Sequence, residues 1–399
     1  MKKVVPIDQL CIGMFLVRVT DASSNIQVKS QGVIRSEGTI DTLKNRGVLA
    51  IEVDLDKSEV VLEDDEVQVE SEQSSGQVTK KTAKKTVSFE TQQKDLAAAD
   101  RLYSEACAVQ SRFVKQLRNG SAPDFQDLNN LSQQIIDSVF DNKDALSCLV
   151  MLKESNEYLV QHSLNCSILL SIFARHKELS PSEVEDLTLG GLLMDVGMAL
   201  LPPELVGYNA DYSGSDLSVM QSHVDIGLEV VERFSDLPPM INEIIQNHHE
   251  RIDGSGFPKG IFEPSLYAQM AGIVDTYDAM LTQSQYRMAG NTQETLNQMK
   301  KSGVFDNTLI DEFIAAIGLY PVGTLVLLKS DKLALVTQAN EDDHCKPKVM
   351  VFYHVKNKHH IPIKIVDLKR NTDKIKVAVR PEEFDINLPK FFRTAVLPF

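Results

Sequence analysis

Between about residue 150 and residue 318, side chains able to ligate a metal interrupt runs that otherwise read as buried helix. They are His162, Asp195, His223, the adjacent pair His248 and His249, and Asp275. A charged or unpaired polar group among apolar neighbours is costly unless it is paired or bound to a metal. A chain carrying six such groups therefore needs a fold that brings each to a partner.

Each group has its own setting. His162 lies in Tyr158-Leu-Val-Gln-His-Ser-Leu-Asn, an apolar helical stretch, and His223 opens His-Val-Asp-Ile-Gly227. Taken singly, each reads as a hydrogen-bonded core histidine. His248 and His249 end the amphipathic run 240–246. Adjacent helical residues point about 100° apart, so both reach one site near a helix end. The Gly- and Pro-punctuated loop 251–258 follows at once, in a setting where sites form. Asp275 sits among Ala271, Ile273, Val274 and Ala279. The plain alternative there is a buried Asp accepting backbone or Arg hydrogen bonds, a role that also suits Asp278 three residues on. Asp195 closes a helix opened by Ser180-Pro-Ser-Glu183, with Ser as N-cap, Pro at the first position and Glu completing a capping box. Mixed His and Asp ligation suits borderline divalent ions. A bridging Asp is how a two-metal site is clamped, and such sites support phosphoryl displacement by metal-bound hydroxide.

Composition bounds the function. With 399 residues, the chain has room for two or three domains, and 43% hydrophobic residues supply a core. Trp is absent and aromatics are 6%, which argues against a base-stacking surface. A net charge of −15 repels DNA and anionic membranes. Cys11, Cys107, Cys148, Cys166 and Cys345 stand singly with no CxxC, as reduced thiols of a cytoplasmic protein do. Pro6, Asp8 and Gln9 cut the first apolar run, so no signal peptide is expected. No run of 18 apolar residues exists, so no membrane span is expected.

The chain reads in four parts. Residues 1–70 suggest a small α+β domain, with strands at 14–20 and 47–53 and a short helix at 38–45. Residues 71–90 lose apolar content to Ser, Thr, Gln and Lys, as a flexible linker does. Residues 91–318 read as all-α, with eight or more helices. Leu96, Tyr103, Cys107, Val114 and Leu117 form one helical stripe; Leu128, Leu131, Ile135, Ile136 and Val139 form the next. Residues 319–399 return to β, with candidate strands at 320–328, 333–337, 348–353 and 363–368 in a small barrel or sheet.

Five motifs in order carry a resemblance. They are His162-Ser, Met194-Asp195-Val-Gly197, His223 with Gly227, His248-His249-Glu250-Arg251 with Asp253-Gly-Ser-Gly-Phe-Pro258, and Asp275-Thr-Tyr-Asp278-Ala279. Over roughly residues 150–318 the chain resembles the HD-GYP family. Pro6-Ile-Asp-Gln-Leu resembles the start of the small domain that often precedes that module, and Tyr320-Pro-Val-Gly the β segment that often follows. The fold implied is multidomain α+β: an all-α HD-type helical domain flanked by a small N-terminal α+β domain and a C-terminal β segment. The activity implied is a phosphodiesterase of cyclic di-GMP or a related cyclic dinucleotide, in bacterial signal transduction. The family is built on two or three divalent ions, commonly iron or manganese. Carried over by position, Asp195 is the catalytic bridging ligand. His223, His248 and His249 complete one ion; His162 and Asp275 hold the other, with a His that is Met194 here.

The departures point one way. A thioether at Met194 is a poor ligand for such ions. Tyr158 stands where trinuclear members carry Glu. Met198 replaces a Lys facing the substrate phosphate, and Ser284 an Arg, leaving Arg287 as the substrate-binding candidate. Phe257 replaces the Tyr of the family name. A charge-assisted contact contributes about 1.5–3 kcal/mol, so losing two lowers affinity or rate by roughly two to four powers of ten. Two readings follow. One is a slow phosphodiesterase with one or two ions. The alternative is an inactive module, a cyclic-dinucleotide receptor or a partner of signalling domains such as diguanylate cyclases, docking through Gly254, Gly256, Phe257 and Pro258.

Overall fold

In the computed structural model, the described residues are 2–7, 14–22, 32–34, 48–54, 89–152, 157–206, 214–234, 237–282, 291–340, 343–384 and 386–395. The expected helix at 38–45, the stretch 71–88, and Ser284 and Arg287 lie outside them. The chain divides into two compact units, Met1–Lys84 and Lys85–Phe399.

The first unit holds an antiparallel sheet of β1 (Lys2–Pro6), β2 (Phe15–Ala22), β3 (Gly32–Val33) and β4 (Val48–Asp54), in the order β1-β4-β2-β3. Ile51 and Val53 alternate onto one face of β4, and Val48, Leu16 and Met14 are buried as well.

Ten α-helices open the second unit among the described residues. The first is α1 (Phe89–Arg118), a 30-residue helix whose buried stripe runs Leu96, Ala99, Ala106, Phe113, Val114 and Leu117. It packs on α2 (Phe125–Met151), which Asp124 caps by accepting from the Gln126 N–H. The centre is α3 (Tyr158–His176). Residues 159–174 are all buried, the polar Gln161, His162, Ser163, Asn165, Ser167 and Ser171 included, so this helix runs through the core. Around α3 pack α1, α2, α4 (Pro181–Leu193), α8 (Leu266–Leu281) and α10 (Asn307–Ile317). A short 3-10 helix (Val196–Leu200), α5 (Gly214–Gln221), α6 (His223–Val231) and α7 (Pro239–Asn247) close one side, and α9 (Thr292–Ser302) joins α8 to α10. The capping box at Ser180 and Glu183 is present, and α8 spans the apolar run that carries Asp275.

The C-terminal sheet is antiparallel, in the order β8-β7-β6-β5-β9. Its strands are β5 (Leu325–Leu328), β6 (Lys332–Gln338), β7 (Lys348–His354), β8 (His359–Asp367) and β9 (Ile375–Ala378). Four of them fall where alternation predicts strands; β9 and a final helix, α11 (Leu388–Ala395), do not figure in the sequence reading. Helix α11 lays Phe391 on Phe352, with ring centroids 4.1 Å apart. The sheet belongs to the same compact unit as the helices. Asp144 of α2 accepts from the Ala339 N–H, and Lys143 donates to the Ala316 carbonyl.

Candidate metal centre

Six helical segments meet around Asp195. Helix α4 ends at Leu193, and the chain turns through Met194 and Asp195 into the 3-10 helix. The turn runs against the start of α6 so closely that a Cβ on Gly197 would lie 2.0 Å from the His223 carbonyl oxygen. Only glycine allows that approach, and it places Asp195 beside His223. From α7, His248 serves as C-cap, with His249 next in the chain. His162 comes from the first turns of α3 and Asp275 from the middle of α8. All six ligand-type residues expected from the sequence are thus gathered at one place.

They form two sets that share Asp195. Its Oδ1 lies 3.5 Å from His223 Nε2 and 3.6 Å from His248 Nε2. His249 Nε2 comes within 3.2 Å of His223 Nε2. On the other side, Asp195 Oδ2 lies 3.2 Å from His162 Nε2, which lies 3.1 Å from Asp275 Oδ1. Asp275 Oδ2 reaches back to 3.7 Å from His249 Nδ1. Each set has one ligand atom per residue within 4.8 Å of the others: Asp195, His223, His248 and His249 in one; His162, Asp195 and Asp275 in the other.

The remote ring nitrogens fix what faces inward. His223 Nδ1 lies 2.6 Å from the Met220 carbonyl oxygen, and His248 Nδ1 lies 3.0 Å from those of Ile244 and Ile245. His162 Nδ1 lies 2.8 Å from Asp278 Oδ2. Each Nδ1 faces an acceptor, so each donates its proton outward and turns the Nε2 lone pair to the site, the tautomer that metal ligation needs. Lone pairs then face carboxylate oxygens, and that arrangement requires positive charge between them. Both Asp195 oxygens and His248 Nε2 are buried without a hydrogen-bond partner. Ligands about 2.0–2.2 Å from one ion sit roughly 3.0–3.5 Å apart, close to the separations found. These residues fit a divalent ion.

Electrostatics show the same demand for positive charge beside Asp195, met by a proton on an imidazole or by an ion. Burial opposes charge on Asp195, yet His162 and His248 hold its carboxyl well below the usual carboxylate range. Burial also opposes charge on His162 and His248; Cys166 and Tyr158, then Asp195 and Asp275, raise His162 above the usual value, and Asp195 and Asp275 raise His248. Burial lowers His223, and burial with His248 pushes His249 well down, so both stay neutral.

The surroundings place the loop residues and departures singled out in the sequence, and give Glu250 a role that the sequence did not assign. Phe257 stacks on His249 at 4.4 Å and meets His223 edge-on at 6.3 Å. Its loop is closed by Glu250, buried, which accepts from the Lys259 and Ile261 N–H groups at 2.8 and 2.9 Å. A Cβ on Gly256 would lie 2.5 Å from the His249 carbonyl oxygen, so the loop passes directly over the histidine pair. Gly254 and Pro258 flank this crossing. Tyr158 stacks on His162 at 5.2 Å. Met194 is fully buried in the apolar core, and Met198 packs against it. Asp278 was legible as an acceptor from its spacing; its partner His162 was not.

A family model described as "HD domain" matches residues 147–309, and one described as "Domain of unknown function (DUF3391)" matches residues 2–128. A cyclic di-GMP phosphodiesterase of Pseudomonas aeruginosa is 29% identical over 392 residues, covering 96% of this chain and 93% of its own. The cyclic di-GMP phosphodiesterase PdeB of Borreliella burgdorferi is 23% identical over 51% of this chain and 54% of its own. A 3'3'-cGAMP-specific phosphodiesterase of Vibrio cholerae is 24% identical over 47% of this chain and 37% of its own. Among solved structures, an HD-GYP-type protein of Bdellovibrio bacteriovorus covers 78% of this chain and 98% of its own, with a TM-score of 0.48 and 16% identity. The HD domain is a metal-dependent hydrolase fold, and here it holds a cluster able to bind metal. No helix among the described residues is long and apolar enough to cross a membrane. The chain therefore carries an HD domain preceded by a DUF3391 domain, and its motif order resembles the HD-GYP family, with Met194 and Phe257 as departures.

Proposed function

We propose that the chain is a metal-dependent phosphodiesterase of cyclic di-GMP, slowed by the replacements at Met194, Met198 and Ser284. The observation that carries this reading is the Asp195 carboxylate, buried, without hydrogen bonds, and shared by two ligand sets. Relatives named as cyclic di-GMP phosphodiesterases, one aligned along nearly the whole chain, support the substrate.

His223, His248 and His249 would hold one ion with Asp195; His162 and Asp275 would hold a second. Nitrogen and carboxylate donors in this mixture suit iron or manganese. When bound, such ions supply hydroxide at neutral pH and positive charge for the in-line displacement. The protein residues do the rest. Asp195 fixes the spacing of the two sets. The backbone carbonyls of Met220, Ile244 and Ile245 lock the tautomers of His223 and His248. Phe257 covers one face of His249 and keeps water off it. Hydrolysis adds water across one P–O bond, and the ring opens to the linear dinucleotide with a terminal phosphate.

Met194 leaves the His162 and Asp275 set one ligand short, so this side binds its ion weakly and turnover is slow. The test is turnover of cyclic di-GMP by protein reloaded without oxygen with Fe²⁺ or Mn²⁺. Linear dinucleotide from the wild type and none from Asp195→Ala supports the reading. No product from fully metal-loaded wild type overturns it, in favour of a receptor or partner-binding role.

A further inference from the structure

A hydrogen-bonded chain runs from α1 to the centre. The Tyr103 hydroxyl donates to Asn165 Oδ1 at 2.9 Å, and Asn165 Nδ2 donates to Asp278 Oδ1 at 2.9 Å. Asp278 Oδ2 accepts from His162 Nδ1 at 2.8 Å. Asn165, Asp278 and His162 are buried. The polarity runs in one sense. A phenol donor requires the amide oxygen on its side, so the amide nitrogen faces the carboxylate. The carboxylate then takes the Nδ1 proton and leaves Nε2 open to Asp195 and Asp275. Helix α1 also donates to carbonyls on either side of the Asp195 turn: Gln110 Nε2 to Leu192 at 3.0 Å and Arg118 Nε to Ala199 at 3.2 Å.

We propose that Tyr103 is a positioning residue for the site, acting through Asn165 and Asp278 to hold His162 as a ligand. The inference deepens the proposed function and rests on that reading for His162. Helix α1 directly follows the first unit in sequence, so the residue orienting a ligand of the centre comes from its connecting helix rather than from a family motif.

The test compares full-length wild type with Tyr103→Phe, which removes only the hydroxyl, and Asp278→Asn. Ser111→Ala is the control: Ser111, also on α1, donates to Glu157 Oε2 at 2.9 Å, at the N-cap of α3 and outside the hydrogen-bonded chain to His162. Two quantities are read: Mn²⁺ affinity, and water exchange of the His162 Nδ1 proton in metal-free protein by NMR, assigned by its loss in His162→Ala. Direct partners of a metal-bound His typically change affinity by about 10–100-fold. Asp278→Asn is expected in that range, and Tyr103→Phe, two bonds further out, at about 3–10-fold with faster Nδ1 exchange. Ser111→Ala is expected to alter neither. Equal effects of Tyr103→Phe and Ser111→Ala, or no effect of Tyr103→Phe on exchange, would overturn the proposal. Wild type that takes up no Mn²⁺ would defeat the proposed function, and the exchange comparison would still decide the role of Tyr103.

Discussion

Asp195 is where both ligand sets depend on one side chain. Its oxygens face imidazole lone pairs, and replacing one oxygen with an amide nitrogen removes both the charge and the bridge. Asp195→Asn should therefore abolish metal uptake on both sides and reduce turnover by at least about 100-fold, readable by metal analysis and product formation. Met194 is the converse case. Met194→His should raise bound metal toward two ions per chain and turnover by about tenfold, which corresponds to about 1.4 kcal/mol at the transition state. Unchanged metal content would refute the ligand role inferred for that position. Singly, the six ligand-type residues were ambiguous in sequence; the order and spacing of the five motifs, through the resemblance they carry, grouped them. Phe257 was legible only as part of a loop, because its stack on His249 is a contact across the chain that no local pattern encodes.

At the scale of elements, helix ends set the geometry. The capping box places the start of α4, and so where Asp195 emerges. Ser180→Ala should lower stability by about 1 kcal/mol, measurable by denaturant titration. Glu183 in that box is held below the usual carboxylate range by Ser180 and Tyr267. A depressed carboxyl contributes stability above its unfolded value and loses it as pH falls through the folded one. Glu183→Gln should therefore narrow the gap between melting temperatures at neutral and acid pH. An unchanged gap would remove that contribution. Gly197→Ala forces a Cβ into the His223 carbonyl. It should cost at least about 1–3 kcal/mol and weaken metal binding, because the turn and α6 must separate. Long elements were readable: α8 shows its apolar period over 16 residues. Strand β9 has only four residues and α11 only eight, too few for a period to stand out from chance.

For the whole molecule, the DUF3391 match at 2–128 runs from the first compact unit through α1 of the second, and the second unit holds the HD match, the centre and the C-terminal sheet. The net charge of −15 favours holding a doubly anionic ligand by ions rather than by surface cations, consistent with a metal-dependent route. The fold class was legible because pattern period changes from strand to helix to strand along the chain. The relay from Tyr103 was not, since a stripe residue looks like core until its hydroxyl finds a partner. The central claim is that Asp195 serves two ions in a working centre. Its most direct test is product formation from cyclic di-GMP by wild-type protein reloaded anaerobically with Fe²⁺ or Mn²⁺, with bound metal counted in the same sample. Linear dinucleotide, lost in Asp195→Ala along with the metal, is the predicted result. Metal bound at full occupancy with no product would contradict the account.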